Sequence, residues 1–235
     1  MKSARTLTES RGRADHVQTQ RGWLIGTAAA AIAIYALMWL GFAQNWMWLT
    51  RVDAWALEPM HRLGEAHPGW ISAWQVFCTV LGDNAFRLLA FVVIIAALVR
   101  RHLRVAIFLL ISVELSGLVV QIAKGLADRP RPATAMVTAH GMSFPSGHAL
   151  GVMVAVLALL TVALPVVGAF WRRWLVVSGV AIVLAIGAGR VILNVHHPSD
   201  VIAGWALGYA YFVVCLLIVP PLRPRVSAET AGSAH

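Results

Sequence analysis

"WLIGTAAAAIAIYALMWLGF", residues 23–42, decides the architecture, because it carries no charge from end to end. An α-helix rises about 1.5 Å per residue, so a run of this length spans the roughly 30 Å hydrocarbon core of a bilayer. It is apolar on every side, which asks for lipid or protein around it rather than water. Further runs of the same kind cover 86–99 with part of the segment before it, 103–123, 149–166, 174–192 and 201–219. The expected fold is therefore all-α, a polytopic membrane helix bundle with about six transmembrane helices. Composition agrees: 59% of the 235 residues are hydrophobic and only 12% are charged, where soluble domains carry roughly 25%.

The formal charge of +9 would point to nucleic acid in a soluble protein, but here the cations fall in short loops, so no nucleic-acid partner is expected. Lys2, Arg5, Arg11, Arg13 and Arg21 precede the first run. Arg100, Arg101 and Arg104 separate the second and third, Arg172 and Arg173 precede the fifth, and Arg223 and Arg225 follow the sixth. The positive-inside rule places all of these in the cytoplasm, and with them both termini. A basic lead before an apolar run also resembles a signal peptide. The run is longer than a signal core of about 7–15 residues, though, and no small-x-small cleavage site follows, so an uncleaved first span is expected. The domain expectations are a disordered cytoplasmic tail over 1–20, one membrane-embedded domain over 21–222, and a cytoplasmic tail over 223–235. Cys78 and Cys215 lie on different runs with no metal or disulfide spacing, and read as small buried hydrophobes.

This topology leaves the loops 43–72, 124–149 and 193–200 on the outer side, and three polar clusters fall there. In "KGLADRPRP" (124–132), Lys124 ends the third run and Arg131 follows, with Pro130 and Pro132 stiffening the exit. Cations on the outer face depart from the inside bias and mark function. Arg offers a planar fork to phosphate oxygens and Lys a point charge; a juxtamembrane cluster touching lipid headgroups is the plainer alternative. Asp128 reads as a local counter-ion or a loop-surface residue.

In "SFPSGHALG" (143–151), Pro145 stops any preceding helix, Ser146 caps the next, and Gly147 lets backbone approach a ligand. Outward-facing amides at a helix N-terminus form an anion site. His148 in the first turn could hand a proton to a leaving oxygen, unless the stretch is only a Pro-Ser helix start with an interfacial histidine. In "GRVILNVHHPSD" (189–200), Asp200 can accept a hydrogen bond from one ring nitrogen of His196 and leave the other free to attack. Asp200 could equally cap the last helix. His197 is as exposed as His196, and only spacing from Arg190 and Asp200 favours His196.

Taken together, Lys124-x6-Arg131-Pro132, Pro145-Ser146-Gly147-His148 and Arg190-x5-His196-x3-Asp200 closely resemble the three signature motifs of the type 2 phosphatidic acid phosphatase superfamily, whose relatives include bacterial acid phosphatases and vanadium haloperoxidases. The resemblance covers residues 70–220. It implies that His196 attacks phosphorus and becomes a phosphohistidine, that Asp200 orients it, and that His148 protonates the leaving group. Lys124, Arg131 and Arg190, with Ser146 and the Gly147 amide, would hold the phosphoryl oxygens. No metal or other cofactor is expected, in keeping with ten acidic residues and no carboxylate cluster able to hold magnesium. One position departs from the pattern: Gly189 stands where the family usually has Ser before the third-motif Arg, which puts a hydroxyl contact in doubt.

The expected partners are a lipid phosphate substrate and the surrounding membrane lipids; oligomeric state is left open. The expected location is the plasma (inner) membrane, with the site facing the periplasm or cell exterior. Polyprenyl diphosphate, phosphatidate, phosphatidylglycerophosphate and lipid A fit the same phosphoryl machinery. A non-catalytic carrier or flippase would use the cations alone and tolerate loss of His196; a vanadate-dependent peroxidase fits a membrane-embedded chain poorly. Tryptophans 39, 46, 48, 55, 70 and 74 gather near the outer loop as an interface belt, or as a lid guiding a lipid tail. Arg87 reads as structural, paired with the helix-capping Asp83 or reaching the outer surface. Glu114, in mid-span, must face protein, and His140 reads as a loop histidine, with a gating residue as the alternative.

Overall fold

The computed structural model describes the backbone of residues 2–221 and the side chains of residues 18–221; the expected tail over 223–235 lies outside the described residues. Every regular element is helical: α1 (Lys2–Ala43), α2 (Met47–Ala66), α3 (Pro68–Val80), α4 (Asp83–Val99), α5 (Leu103–Leu109), α6 (Ser116–Ala127), α7 (Gly147–Ala163), α8 (Ala169–Ile192) and α9 (Pro198–Ile218), with no strand among the described residues. A π-helical turn over Leu110–Glu114 joins α5 to α6. The backbone of α1 is already helical across the stretch expected to be a tail.

Five helical stretches are long and apolar enough to cross a membrane: Gln18–Ala43, Pro68–Val99, Leu103–Ala127, Ala169–Ile192 and Pro198–Ile218, with Gly147–Ala163 a shorter apolar helix. The chain is a multi-pass membrane protein. Its shortest apolar helix is also its centre. In α7, Ala149, Leu150, Val152, Val154, Ala155 and Ala158 are wholly buried, as an all-round apolar helix requires when its neighbours are other helices.

Between helices in lipid, close backbone approach and dispersion replace the hydrophobic effect as the source of packing energy. Helix α9 supplies the approach with Gly204 and Gly208, four residues apart. A Cβ on Gly204 would lie 2.7 Å from the Ser146 carbonyl oxygen, and one on Gly208 would lie 2.9 Å from that of Leu150. The start of α9, with Asp200, is thereby clamped against the start of α7, with His148.

The stretch expected as an outer loop, 43–72, is largely helix. Leu49, Asp53, Leu57 and Gly64 form the buried face of α2, at the spacing of one side of a helix. The helix is not apolar enough to count among the spans, and it lies over α8 and α9. Trp48, Trp55 and Trp70 are exposed, whereas Trp74 turns inward and meets Phe77 edge-on. Arg87 is structural: its guanidinium donates to Asp83 (2.8 Å), to the Glu114 carbonyl (2.9 Å) and to Ser116 (2.9 Å). It stitches α4 to the π-helical turn, whose disrupted backbone ladder leaves that carbonyl free. Glu114 itself turns a buried carboxylate oxygen with no partner into this region.

Candidate active site

Six of the expected residues, Lys124, Arg131, Gly147, His148, Arg190 and His196, line one cavity of about 350 Å³. Each arrives from a different place. Lys124 stands in the last turn of α6, His148 in the first turn of α7, Arg190 in the last turn of α8, and His196 in the short link to α9. The helix ends converge, and polar side chains that lipid would not tolerate meet there instead. Gln75 and Thr79 of α3 complete the wall, and neither carried a signal in the sequence.

Arg131 is pinned by three backbone carbonyls, those of Val195 (2.8 Å), His140 (2.9 Å) and Gly141 (3.0 Å). Its Nη1 also lies 3.1 Å from His196 Nε2. A guanidinium only donates, so Nε2 must offer its lone pair and the neutral ring carries its proton on Nδ1. Burial pushes the His196 pKa down to about 4, outweighing the opposite pull of Asp200. The ring is therefore a neutral base at neutral pH. Arg190 is almost fully buried and its Nε has no partner among the described residues, a cation held ready for an anion.

Ser146 is placed differently from expectation. It is wholly buried, caps α7 by accepting from the Ala149 amide (3.4 Å), and donates its own amide to the Asp200 carbonyl (2.9 Å). It stands behind the cavity wall, where it shapes the anion site without lining it. The first amides of α7 have no intrahelical acceptor.

Asp200 is also behind the wall, fully buried and heavily engaged. Its Oδ1 accepts from Arg129 Nη1 (2.6 Å). Its Oδ2 accepts from the Ser143 hydroxyl, from the His197 amide (2.8 Å) and from His197 Nδ1 (3.2 Å). His196 Nδ1 stops 3.6 Å short of that oxygen, beyond hydrogen-bond range. Asp200 is an N-cap partner as well as the neighbour of the histidine, since the His197 amide bond closes a capping box.

Asp53, Ser143 and Ser199 carried no reading in the sequence, and Arg129 was only one of the cations on the outer face; all four belong to this network. Arg129 is buried, stacks over the Phe42 ring at 4.7 Å, and divides its guanidinium between Asp200 and Asp53 (2.8 Å). Asp53 in turn accepts from the Ser199 amide (3.0 Å) and hydroxyl (2.7 Å). Removing one partner of such a buried set costs about 3–5 kcal/mol, because the remaining charge is stranded. A signal for Asp53 did exist: a carboxylate in phase with Leu49 and Leu57 on an otherwise apolar face. Asp128, by contrast, is exposed with a left-handed backbone (φ 47°) at the end of α6, and is no counter-ion.

Gly189 now has a physical reason. A Cβ there would lie 2.5 Å from Cys78 Sγ and 3.0 Å from the Trp74 ring. Cys78 and Trp74 of α3 thus fill the space that a side chain at this position would need.

A PAP2 superfamily family model matches residues 105–224, which contain all three clusters. The chain belongs to the PAP2 superfamily. Among PAP2 proteins it resembles phosphatidylglycerophosphatase B of Bacillus subtilis, at 31% identity over 149 residues, covering 61% of this chain and 72% of that one. It is similar to the lipid A 1-phosphatase of Rhizobium johnstonii, at 31% identity, covering 70% and 69%. The undecaprenyl-diphosphatase of Sulfolobus acidocaldarius shares 28% identity over 46% of this chain and 52% of its own. The crystal structure of a transmembrane PAP2 type phosphatidylglycerolphosphate phosphatase from Bacillus subtilis superposes with a TM-score of 0.73 at 18% identity, over 85% of this chain and 98% of that one. That likeness shows a shared PAP2 fold.

Proposed function

We propose that this PAP2 protein is a lipid phosphatase that hydrolyses a phosphate monoester or diphosphate of a membrane lipid through a phosphohistidine. The observation that carries the reading is the 3.1 Å approach of Arg131 Nη1 to His196 Nε2, which sets the tautomer and points the lone pair into a cavity ringed by Lys124, Arg131 and Arg190. Phosphoryl oxygens entering that ring draw Arg131 toward themselves and unmask Nε2. The N–P bond forms as the P–O bond to the leaving group breaks, and His148, protonated once the negative charge of the phosphate has entered the cavity and offset the surrounding cations, supplies the leaving oxygen with that proton. The three cations and the free amides at the start of α7 stabilise the charge spread over the phosphoryl oxygens. Water then attacks the phosphohistidine, giving its proton to His148. Every step of this chemistry is written with protein groups and water alone.

The lipid character of the substrate rests on α3. Gln75 and Thr79 face the cavity, while Val76 and Val80 on the same helix are exposed at 62% and 60%. A headgroup in the cavity would leave its tail along that apolar surface, still in the bilayer. The orientation we assign puts the site outside, because Arg100, Arg101, Arg104, Arg172 and Arg173 lie at the opposite ends of the helices that carry it.

Phosphate release in detergent with chelator present, from phosphatidate, phosphatidylglycerophosphate, polyprenyl diphosphate and lipid A, tests the proposal. Release from at least one lipid by the wild type, abolished in His196→Ala, is the expected result. Lipid-phosphate binding in both proteins with no release from any lipid would overturn it in favour of a carrier.

A further inference from the structure

We propose that Ser143 is a positioning residue for the His196 nucleophile, its hydroxyl bridging the ring Nδ1–H to the Asp200 carboxylate. The inference rests on the reading of His196 as the nucleophile. Its starting point is the tautomer: with Nε2 facing a donor-only guanidinium, the ring proton is on Nδ1 and needs an acceptor. The ring is 1% exposed, so that acceptor has to be protein. Two atoms are near, Ser143 Oγ at 3.5 Å and Asp200 Oδ2 at 3.6 Å.

Distance alone does not choose between them; occupancy does. A carboxylate oxygen has two lone-pair directions. Asp200 Oδ2 already accepts the Ser143 hydroxyl and the His197 amide, with His197 Nδ1 crowding in at 3.2 Å. Asp200 Oδ1 is engaged by Arg129. Oδ2, the carboxylate oxygen that His196 approaches, therefore has its acceptor sites filled by other donors. Ser143 Oγ is in the opposite position. It spends its single proton on Asp200, and among the described residues His196 Nδ1 is the only donor that reaches it. The hydrogen bonds therefore run in one direction, from Nδ1–H to Oγ and from Oγ–H to Oδ2.

That chain does for the nucleophile what a direct Asp–His bond would do. As the N–P bond forms and the P–O bond breaks, the ring gains positive charge, and the aligned Ser143 dipole transmits the carboxylate's stabilisation to it. No proton need cross the bridge; the one consumed by the leaving oxygen comes from His148. Ser143 is held for this role by its own backbone, whose amide donates to the Arg129 carbonyl at 2.7 Å. Loop position, carboxylate and nucleophile are thus set by one buried unit.

The test is a double-mutant cycle in the full chain, assaying the best lipid from the release panel, with thermal stability and inhibition by inorganic phosphate measured alongside. Ser143→Ala is expected to lower kcat about 10- to 100-fold, the range spanned by one hydrogen bond to a charged group, with KM and phosphate inhibition near wild type. Ser143→Thr, which keeps the hydroxyl, should recover most of that loss. In an Asp200→Asn background, Ser143→Ala should cost little more, because the two act in series. Should Ser143→Ala not fold, Ser143→Cys keeps the volume with a weak donor and carries the same comparison. Wild-type kcat in the alanine or cysteine variant, or a loss that multiplies undiminished with that of Asp200→Asn, would overturn the bridge. Turnover surviving His196→Ala would instead sink the nucleophile reading on which the bridge rests.

Discussion

At the scale of one residue, the proposed role of His196 predicts the acid side of activity. A His196 nucleophile attacks only with Nε2 unprotonated, and burial holds the pKa at about 4, well below the ordinary histidine value. The acid limb of kcat/KM, after correction for ionisation of the substrate phosphate, should fall with an apparent pKa near 4 and not near 6.5. A limb near 6.5 that disappears with a different residue's substitution would show that His196 is not the group being titrated. The same shift links to stability with a definite sign. The native state binds fewer protons at this site than the unfolded chain, so the contribution is complete above the unfolded value of 6.5 and is lost as pH falls through the window down to about 4.

At the scale of elements, the site exists only because α9 and α7 are pressed together at their starts. Gly204→Val would drive a branched side chain into the Ser146 carbonyl and Ala149 Cβ, which already lie 2.7 Å and 3.0 Å from a Cβ. Overpacking of that kind costs about 1–3 kcal/mol. Separating the two helix starts should also part Asp200 from Ser143. We expect a lowered Tm in detergent together with a large drop in phosphate release. Gly26→Val on α1, where no atom lies within 4 Å of a Cβ, should change neither. Equal effects from the two substitutions would show that the α7–α9 contact does not organise the site. This scale also explains what was legible in the sequence. The all-helical membrane fold and the residues that gather at the cavity were visible in the sequence because charge and apolar length are local properties. Arg129 was quoted in the first cluster yet carried no role, since its partner Asp53 is 76 residues away and only packing of α2 onto α9 brings them together. Ser143 was hidden for the same reason, lying 57 residues from the carboxylate it serves.

At the scale of the whole molecule, the distribution of cations separates into two populations that obey different physics. Arg100, Arg101, Arg104, Arg172 and Arg173 sit where α4, α5 and α8 end or begin away from the cavity, and are exposed. Their place is the one the insertion bias would give to cytoplasmic ends. Lys124, Arg129, Arg131 and Arg190 sit at the cavity end, half-buried or buried; Arg129 answers to the Asp53 and Asp200 carboxylates, and the other three line the cavity proposed to take phosphate. If the first population marks the cytoplasm, the cavity opens to the other side. The free cysteines, Cys78 and Cys215, are buried, so a new surface thiol can be read against a low background. Ala133→Cys, exposed on the loop after α6, should react with a membrane-impermeant maleimide in intact cells. Val166→Cys, 81% exposed between α7 and α8, should react only after permeabilisation. The reverse pattern would put the catalytic cavity in the cytoplasm, and the exposed arginines would then need an explanation other than insertion.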